Sequence, residues 1–186
     1  MSRLDGKSVA ILATFGFEQS ELEQPREALA QAGARVHVIS PEADAITGWK
    51  GSDWGGAVPV DRPLGLADPG DYDAVVLPGG QINPDILRMK PEAVDFVRAM
   101  WRDGKPVAAI CHGPWMVIEA GLAEGRAMTS YPSIRTDVEN AGGRWEDAEV
   151  VADAGLVTSR NPHDLPAFSE RLIDEIAEGG PYARAA

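Results

Sequence analysis

At 186 residues, 44% hydrophobic and 25% charged, the chain is long enough to bury a core and too apolar to be disordered. Its formal charge is −12, from 17 basic and 29 acidic residues with no basic run, which argues against sequence-independent nucleic-acid binding. One cysteine excludes an intramolecular disulfide and argues against a cysteine zinc cluster. No apolar run reaches the length of a membrane span or a signal peptide, so the expected setting is the cytoplasm, where a free thiol survives.

The apolar run from Val9 to Ala13 predicts a first buried strand, followed by a loop over Thr14 to Phe17. Glu18 to Ala32 predicts a helix with Leu22 and Leu29 on one face and Gly33 at its end. Pro25 suggests that the regular helix starts near Gln24, after an irregular turn. Arg35 to Ser40 is the second strand, and the close succession of strand, helix and strand implies a right-handed parallel crossover. Ile46 to Val60, rich in Gly, Trp and Asp, resembles a hairpin insertion whose Trp49 and Trp54 serve packing rather than ligand contact.

Asp73 to Leu77 is the next buried strand, with Pro78, Gly79 and Gly80 at its end. Such a glycine pair either presents backbone N–H groups to an oxyanion or makes a simple tight turn. A helix opens at Pro91 and ends at Gly104, with Val94, Val97 and Trp101 on one face. Arg126 to Thr129 suits a short strand, Ser133 to Ala141 a polar helix, and Glu149 to Ser159 a hairpin. Asn161 and Pro162 suit the start of a last helix carrying Leu165, Phe168, Leu172 and Ile176. The tail after Gly179 is expected to be loose. The alternation predicts one α/β domain over residues 1–186, a three-layer sandwich around a mostly parallel sheet. Its site should lie where the strands end, at the loops 15–18, 78–81 and 111–114.

The stretch from Pro106 to Leu122 carries the chemistry. Val107 to Ile110 is a buried strand, Cys111 to Pro114 a sharp turn, and Trp115 to Ala120 a short helix stopped by Gly121. Strand, nucleophile and helix in immediate succession form a nucleophile elbow. A lone cysteine is commonly an inert apolar residue, but here the small neighbours Ala109 and Gly113 suit a tight turn that lifts the thiol toward helix N–H groups. Glu18, in the loop after the first strand, is placed either to donate a hydrogen bond to the sulfur when protonated or simply to favour a helix start. His112 is either a base for the thiol or a structural histidine. His37 reads as structural, and His163 receives no role. No phosphate loop, GxGxxG or HExxH is present, so no nucleotide or metal cofactor is expected.

These residues resemble the ThiJ/PfpI family of the DJ-1 superfamily, within it the intracellular protease I (PfpI)-like branch. The resemblance is carried by FEQSELEQP around Glu18, ITG at Ile46, VVLPGG at Val75, KPVAAICHGP around Cys111, TSYP at Thr129, AEVV at Ala148 and TSRNPHDLPAF at Thr158. It implies a flavodoxin-like sandwich of the class I glutamine amidotransferase type, assembled as a homodimer or as a hexamer of dimers. It implies that Cys111 is the reactive cysteine with Glu18 as its carboxyl partner, that Gly80 and the His112 backbone donate to an oxyanion beside Gly79, and that Tyr131 lines the pocket. In protease-like members a neighbouring subunit supplies an acid to this histidine, and the matching residue here is Asp85.

The activities so implied are ordered as follows. First is a stress-response enzyme acting on reactive carbonyls through Cys111, glyoxalase- or deglycase-like. Second is an intracellular cysteine peptidase, and third a non-enzymatic oxidative-stress sensor or chaperone. The substrate is accordingly a small carbonyl or a peptide, with no nucleic acid and no membrane as partner.

Overall fold

The computed structural model describes residues 2–179; Met1 and residues 180–186, and with them the tail expected to be loose, lie outside the described residues. In chain order the elements are β1 (Ser8–Leu12), α1 (Gln19–Gln31), β2 (Arg35–Ser40), β3 (Ala45–Lys50), β4 (Asp53–Pro59), β5 (Arg62–Pro63), β6 (Ala74–Leu77) and α2 (Ile82–Leu87). They continue with α3 (Pro91–Arg102), β7 (Val107–Ile110), α4 (Pro114–Glu119), β8 (Ala127–Met128), α5 (Arg135–Asn140), β9 (Arg144–Trp145), β10 (Val151–Asp153), β11 (Leu156–Ser159) and α6 (Leu165–Ala177).

The main sheet has seven strands in the order β10-β11-β7-β6-β1-β2-β5. All its pairings are parallel except β10 with β11. That hairpin turns at Ala154 and Gly155, both with positive φ, the backbone signature of a two-residue hairpin turn. Strand residues alternate between two layers with period two. Val9, Ile11, Val76, Ala108, Ile110 and Val157 pack under α1 and α6, against Leu22, Leu29, Phe168 and Leu172. Ala10, Leu12, Val75, Leu77, Val107 and Ala109 face the other way, against Val94, Val97 and Met100 of α3 and Met116 and Val117 of α4. Burial on both faces explains why these strands read as unbroken apolar runs.

Four expectations need correction. Helix α1 is regular from Gln19 and runs through a buried Pro25, which forfeits only the N–H bond to the Glu21 carbonyl. Helix α2 was not foreseen, because six residues give no readable period; its Pro84 falls in the first turn, where a missing N–H costs nothing. The polar helix begins later than Ser133, at Arg135, after a 3₁₀ turn over Pro132–Ile134. The two-residue strands β5 and β9 are set by their neighbours rather than by any pattern of their own.

The chain moves from β1 to β2 on one side and then returns to place β6 on the other side of β1. The loops leaving β1 and β6 therefore part at this switch point and open a crevice. Asn83, fully buried, ties the two loops together. Its Oδ1 accepts the Thr14 N–H at 2.8 Å, and its Nδ2 donates to the carbonyls of Pro78 and Gly79 at 2.9 and 3.3 Å. Asn83→Ala strands two buried backbone groups, the Thr14 N–H and the Pro78 carbonyl, while the Gly79 carbonyl keeps the Glu18 N–H at 3.3 Å. It is expected to cost about 2–4 kcal/mol, a fall in Tm of roughly 5–15 °C in a thermal melt. A shift under about 2 °C would show that these loops hold each other without it.

Candidate active site

Cys111 follows β7 directly, with φ +62°, a left-handed backbone rarely adopted by a residue with a Cβ. Strain of this kind costs about 1–3 kcal/mol and persists only where the surroundings impose it. Here the Cys111 N–H donates to the Ser159 carbonyl at 3.0 Å, and its carbonyl accepts from Tyr131 N–H at 2.8 Å. The next turn closes with Gly113 N–H on the Ile110 carbonyl at 2.8 Å. Gly113 is required: a Cβ there would lie 2.2 Å from the Leu77 carbonyl oxygen.

The carboxyl beside the thiol is that of Glu21, not Glu18. Glu21 is the third residue of α1 and is fully buried. Helical side chains lean toward the N-terminus, so this one reaches back over the strand ends. Its Oε2 accepts the Gly79 N–H at 2.8 Å, its carboxyl and the Cys111 side chain pack side by side against Gly79 and interact electrostatically, and its Oε1 has no hydrogen-bond partner among the described residues. Glu18 stands just before the helix, half-buried at the cavity wall, where its Oε1 accepts from the Ser20 hydroxyl at 3.0 Å. Glu21 shares the inward stripe of Pro25 and Leu29 at i+4 spacing; an acid on that apolar stripe was the available signal.

Burial holds the Glu21 carboxyl up to about 8, helped by the charge of Glu18 and opposed by the hydrogen bond from Gly79. At neutral pH it is therefore protonated and able to donate to sulfur. Burial, reinforced by the Glu21 carboxyl, also pushes the Cys111 thiol up, while the backbone N–H groups of Gly80 and His112 pull it down. Burial lowers the His112 imidazole, so it is neutral near pH 7.

The raised carboxyl has a consequence for stability. The unfolded chain releases the Glu21 proton near 4.5, whereas the fold keeps it to about 8. Between those values the folded state binds more protons, so this contribution is complete at low pH and is lost as pH rises through about 8. Glu21→Gln mimics the protonated acid and cannot titrate. Its Tm relative to wild type is expected to gain roughly 5–10 °C between about pH 5 and pH 9. A gap independent of pH would mean that Glu21 is ionised in the fold.

His112 turns its Nδ1 to Cys111 Sγ at 3.2 Å and its Nε2 to Ser133 Oγ at 3.2 Å. Its ring stacks on Tyr131, with centroids 4.9 Å apart and planes at 24°, and meets the Trp115 ring edge-on at 5.2 Å. Gly80 (φ +76°) packs against the Gly16 carbonyl, where a Cβ would sit 2.3 Å from the oxygen, and its N–H faces the thiol. Gly79 was expected beside Gly80 as an oxyanion donor, but its N–H is spent on Glu21. Its lack of a Cβ instead leaves room for the Glu21 carboxyl and Cys111.

Together these groups line a cavity of about 510 Å³ that includes Glu18, Glu21, Gly80, Cys111, His112 and Tyr131. Trp49 also lines it, correcting the packing-only expectation: the β3–β4 hairpin brings its N–H to the Phe17 carbonyl at 2.6 Å, above the start of α1. Trp54 stacks edge-on against Trp49 at 5.5 Å and is half exposed. Asp85 is exposed on α2 and makes no contact with His112 within the described chain. His37 meets the Tyr72 hydroxyl at 3.2 Å, and His163 meets Asn161, both outside this cavity. Among the described residues no group of three or more His, Cys, Asp or Glu is arranged to hold a metal ion, and no helix is long and apolar enough to cross a membrane.

A mostly parallel α/β sandwich with a strained cysteine on a strand-to-helix elbow, beside a buried carboxyl and an imidazole, defines a class of cysteine-dependent proteins. Within that class the chain belongs to the DJ-1/PfpI family, whose profile matches residues 7–175. It is 45% identical over 165 residues to Deglycase TK1284 of Thermococcus kodakarensis, covering 89% of this chain and 96% of that protein. General stress protein 18 of Bacillus subtilis is 43% identical over 169 residues, covering 90% and 96% respectively. A solved two-domain protein of Anabaena variabilis, containing DJ-1/ThiJ/PfpI-like and ferritin-like domains, superposes with a TM-score of 0.85 at 36% identity. That match covers 93% of this chain and 49% of the Anabaena protein.

Proposed function

We propose that this protein is a cysteine-dependent stress-response enzyme that acts on reactive carbonyls, of the glyoxalase or deglycase type. The observation that carries this reading is the meeting of Cys111 with an acid, a base and two backbone donors in one cavity. The cavity's size suits a small dicarbonyl or its adduct with an amine side chain. The names of the Thermococcus and Bacillus relatives, a deglycase and a general stress protein, support it.

On methylglyoxal, the Cys111 sulfur adds to the aldehyde carbon as its proton passes to His112 Nδ1. The carbonyl electron pair becomes an alkoxide facing the N–H groups of Gly80 and His112. The alkoxide takes the proton back from His112, giving a hemithioacetal. The neutral imidazole then removes the proton from the former aldehyde carbon as the protonated Glu21 carboxyl gives its proton to the ketone oxygen, forming an enediol. The hydroxyl proton on the first carbon returns to Glu21 as the imidazolium protonates the neighbouring carbon, leaving a lactoyl thioester on Cys111. Water cleaves the thioester to lactate and restores the thiol. On a hemiaminal the thiol displaces the amine, which leaves with the thiol proton, and the same hemithioacetal forms. A cytoplasmic setting, where a free thiol persists, and a homodimeric assembly belong to this proposal.

The test is lactate release from methylglyoxal without glutathione, alongside amine release from methylglyoxal-treated N-acetyllysine. Turnover of either supports the reading. Neither product at any pH between about 6 and 9 would overturn it.

A further inference from the structure

We propose that Ser133 is the third member of the reacting group, a positioning residue that orients His112 from within the same chain. The inference rests on the cysteine-dependent reading above and deepens it. An imidazole that is to take the thiol proton must present a bare Nδ1 to sulfur and carry its own proton on Nε2. What decides this is the partner of Nε2. That partner is Ser133 Oγ, at 3.2 Å, on the 3₁₀ turn Pro132–Ile134.

The turn is well placed to hold the hydroxyl still. Tyr131 N–H is bonded to the Cys111 carbonyl at 2.8 Å, and Ile134 N–H closes the turn on the Tyr131 carbonyl at 3.1 Å. Ile134 is buried and anchors the turn from beneath. Tyr131 also stacks on the imidazole, so one short segment supplies both the face contact and the Nε2 contact. Ser133 itself is exposed, which leaves its hydroxyl hydrogen free to point to solvent while Oγ accepts from Nε2–H. As the thiol proton arrives on Nδ1, the imidazolium keeps that bond, now charge-assisted. The arrangement Cys111–His112–Ser133 thus needs no residue from a second subunit, whereas the family resemblance points to Asp85 of a neighbour.

Two measurements test this without requiring carbonyl turnover. The first is the rate of Cys111 alkylation by iodoacetamide near neutral pH, read by intact mass. The second is the ¹⁵N shift pair of the His112 ring, which reports which nitrogen carries the proton. Ser133→Ala is expected to slow alkylation roughly 5- to 20-fold and to move the ¹⁵N pattern away from the Nε2–H tautomer. Ser133→Thr, which keeps the oxygen, should restore both to near wild type, and Asp85→Asn should leave both unchanged. Far-UV circular dichroism checks that each variant is folded. If Ser133→Ala leaves rate and shifts unchanged, or if Asp85→Asn produces the loss instead, the proposal is overturned. A protein that alkylates as expected but turns over no carbonyl retains this positioning role and loses the carbonyl reading alone.

Discussion

Cys111→Ala is expected to abolish lactate release from methylglyoxal, by roughly 10⁴-fold or more, while the protein remains folded. The size follows from the chemistry: without sulfur no hemithioacetal forms, and neither Glu21 nor His112 has an intermediate to act on. The preserved fold follows from the backbone. Alanine keeps the Cβ, so the cost of φ +62° is unchanged, and the four hydrogen bonds that hold the elbow are all made by main-chain atoms at their donors and acceptors: Cys111 N–H on Ser159, Tyr131 N–H on Cys111, Gly113 N–H on Ile110 and Trp115 N–H on His112. A buried thiol disfavoured as an anion contributes little that its removal would forfeit. The Tm of Cys111→Ala should thus lie within a few degrees of wild type, measured in the same buffer as the lactate assay. Turnover that survives in a folded Cys111→Ala protein would mean that another group, or water activated by His112, starts the reaction.

Gly113→Ala is expected to have the opposite profile, losing the fold rather than only the chemistry. The added Cβ would stand 2.2 Å from the Leu77 carbonyl oxygen and 2.9 Å from that of Ile110, both backbone atoms of adjacent central strands. Neither can retreat without breaking the β6–β7 pairing, so a loss above about 4 kcal/mol is expected, enough to remove most of the stability of an ordinary domain. Gly121→Ala is the control. Its φ is +76°, and no atom lies within 4 Å of the added carbon, so it should cost only about 1 kcal/mol. Urea denaturation separates the two. Equal midpoints would show that the elbow accommodates a side chain at Gly113 by shifting as a unit.

Much of this architecture is legible from local pattern. β1, β2, β6 and β7 announce themselves as short apolar runs because both faces of the central sheet are covered. The elbow is legible too, since strand, Cys111, small residues and helix follow one another within a dozen positions. Where patterns are too short to have a period, as in α2, β5 and β9, sequence reasoning has nothing to measure.

The errors at the site share one cause. Glu18 and Glu21 are three residues apart, and Glu18 is nearer in sequence to the strand end. The direction in which α1 starts, and the backward lean of helical side chains, carry Glu21 rather than Glu18 to the thiol. The same logic removes Gly79 from the oxyanion donors, because a carboxyl from a distant element claims its N–H first. Ser133 carried no signal at all: a serine in a turn is ordinary until a histidine 21 residues away faces it.

The class of fold, the family and the cysteine at the elbow are all readable from the chain alone, because these depend on contiguous residues and on spacings a chain cannot hide. The surroundings of Cys111 come instead from packing: Glu21 in place of Glu18, Trp49 in the cavity wall, Ser133 behind His112. Those partners come from separate elements, and their meeting depends on how α1, the β3–β4 hairpin and the 3₁₀ turn at Pro132 dock on the sheet, which is a matter of packing rather than of local pattern.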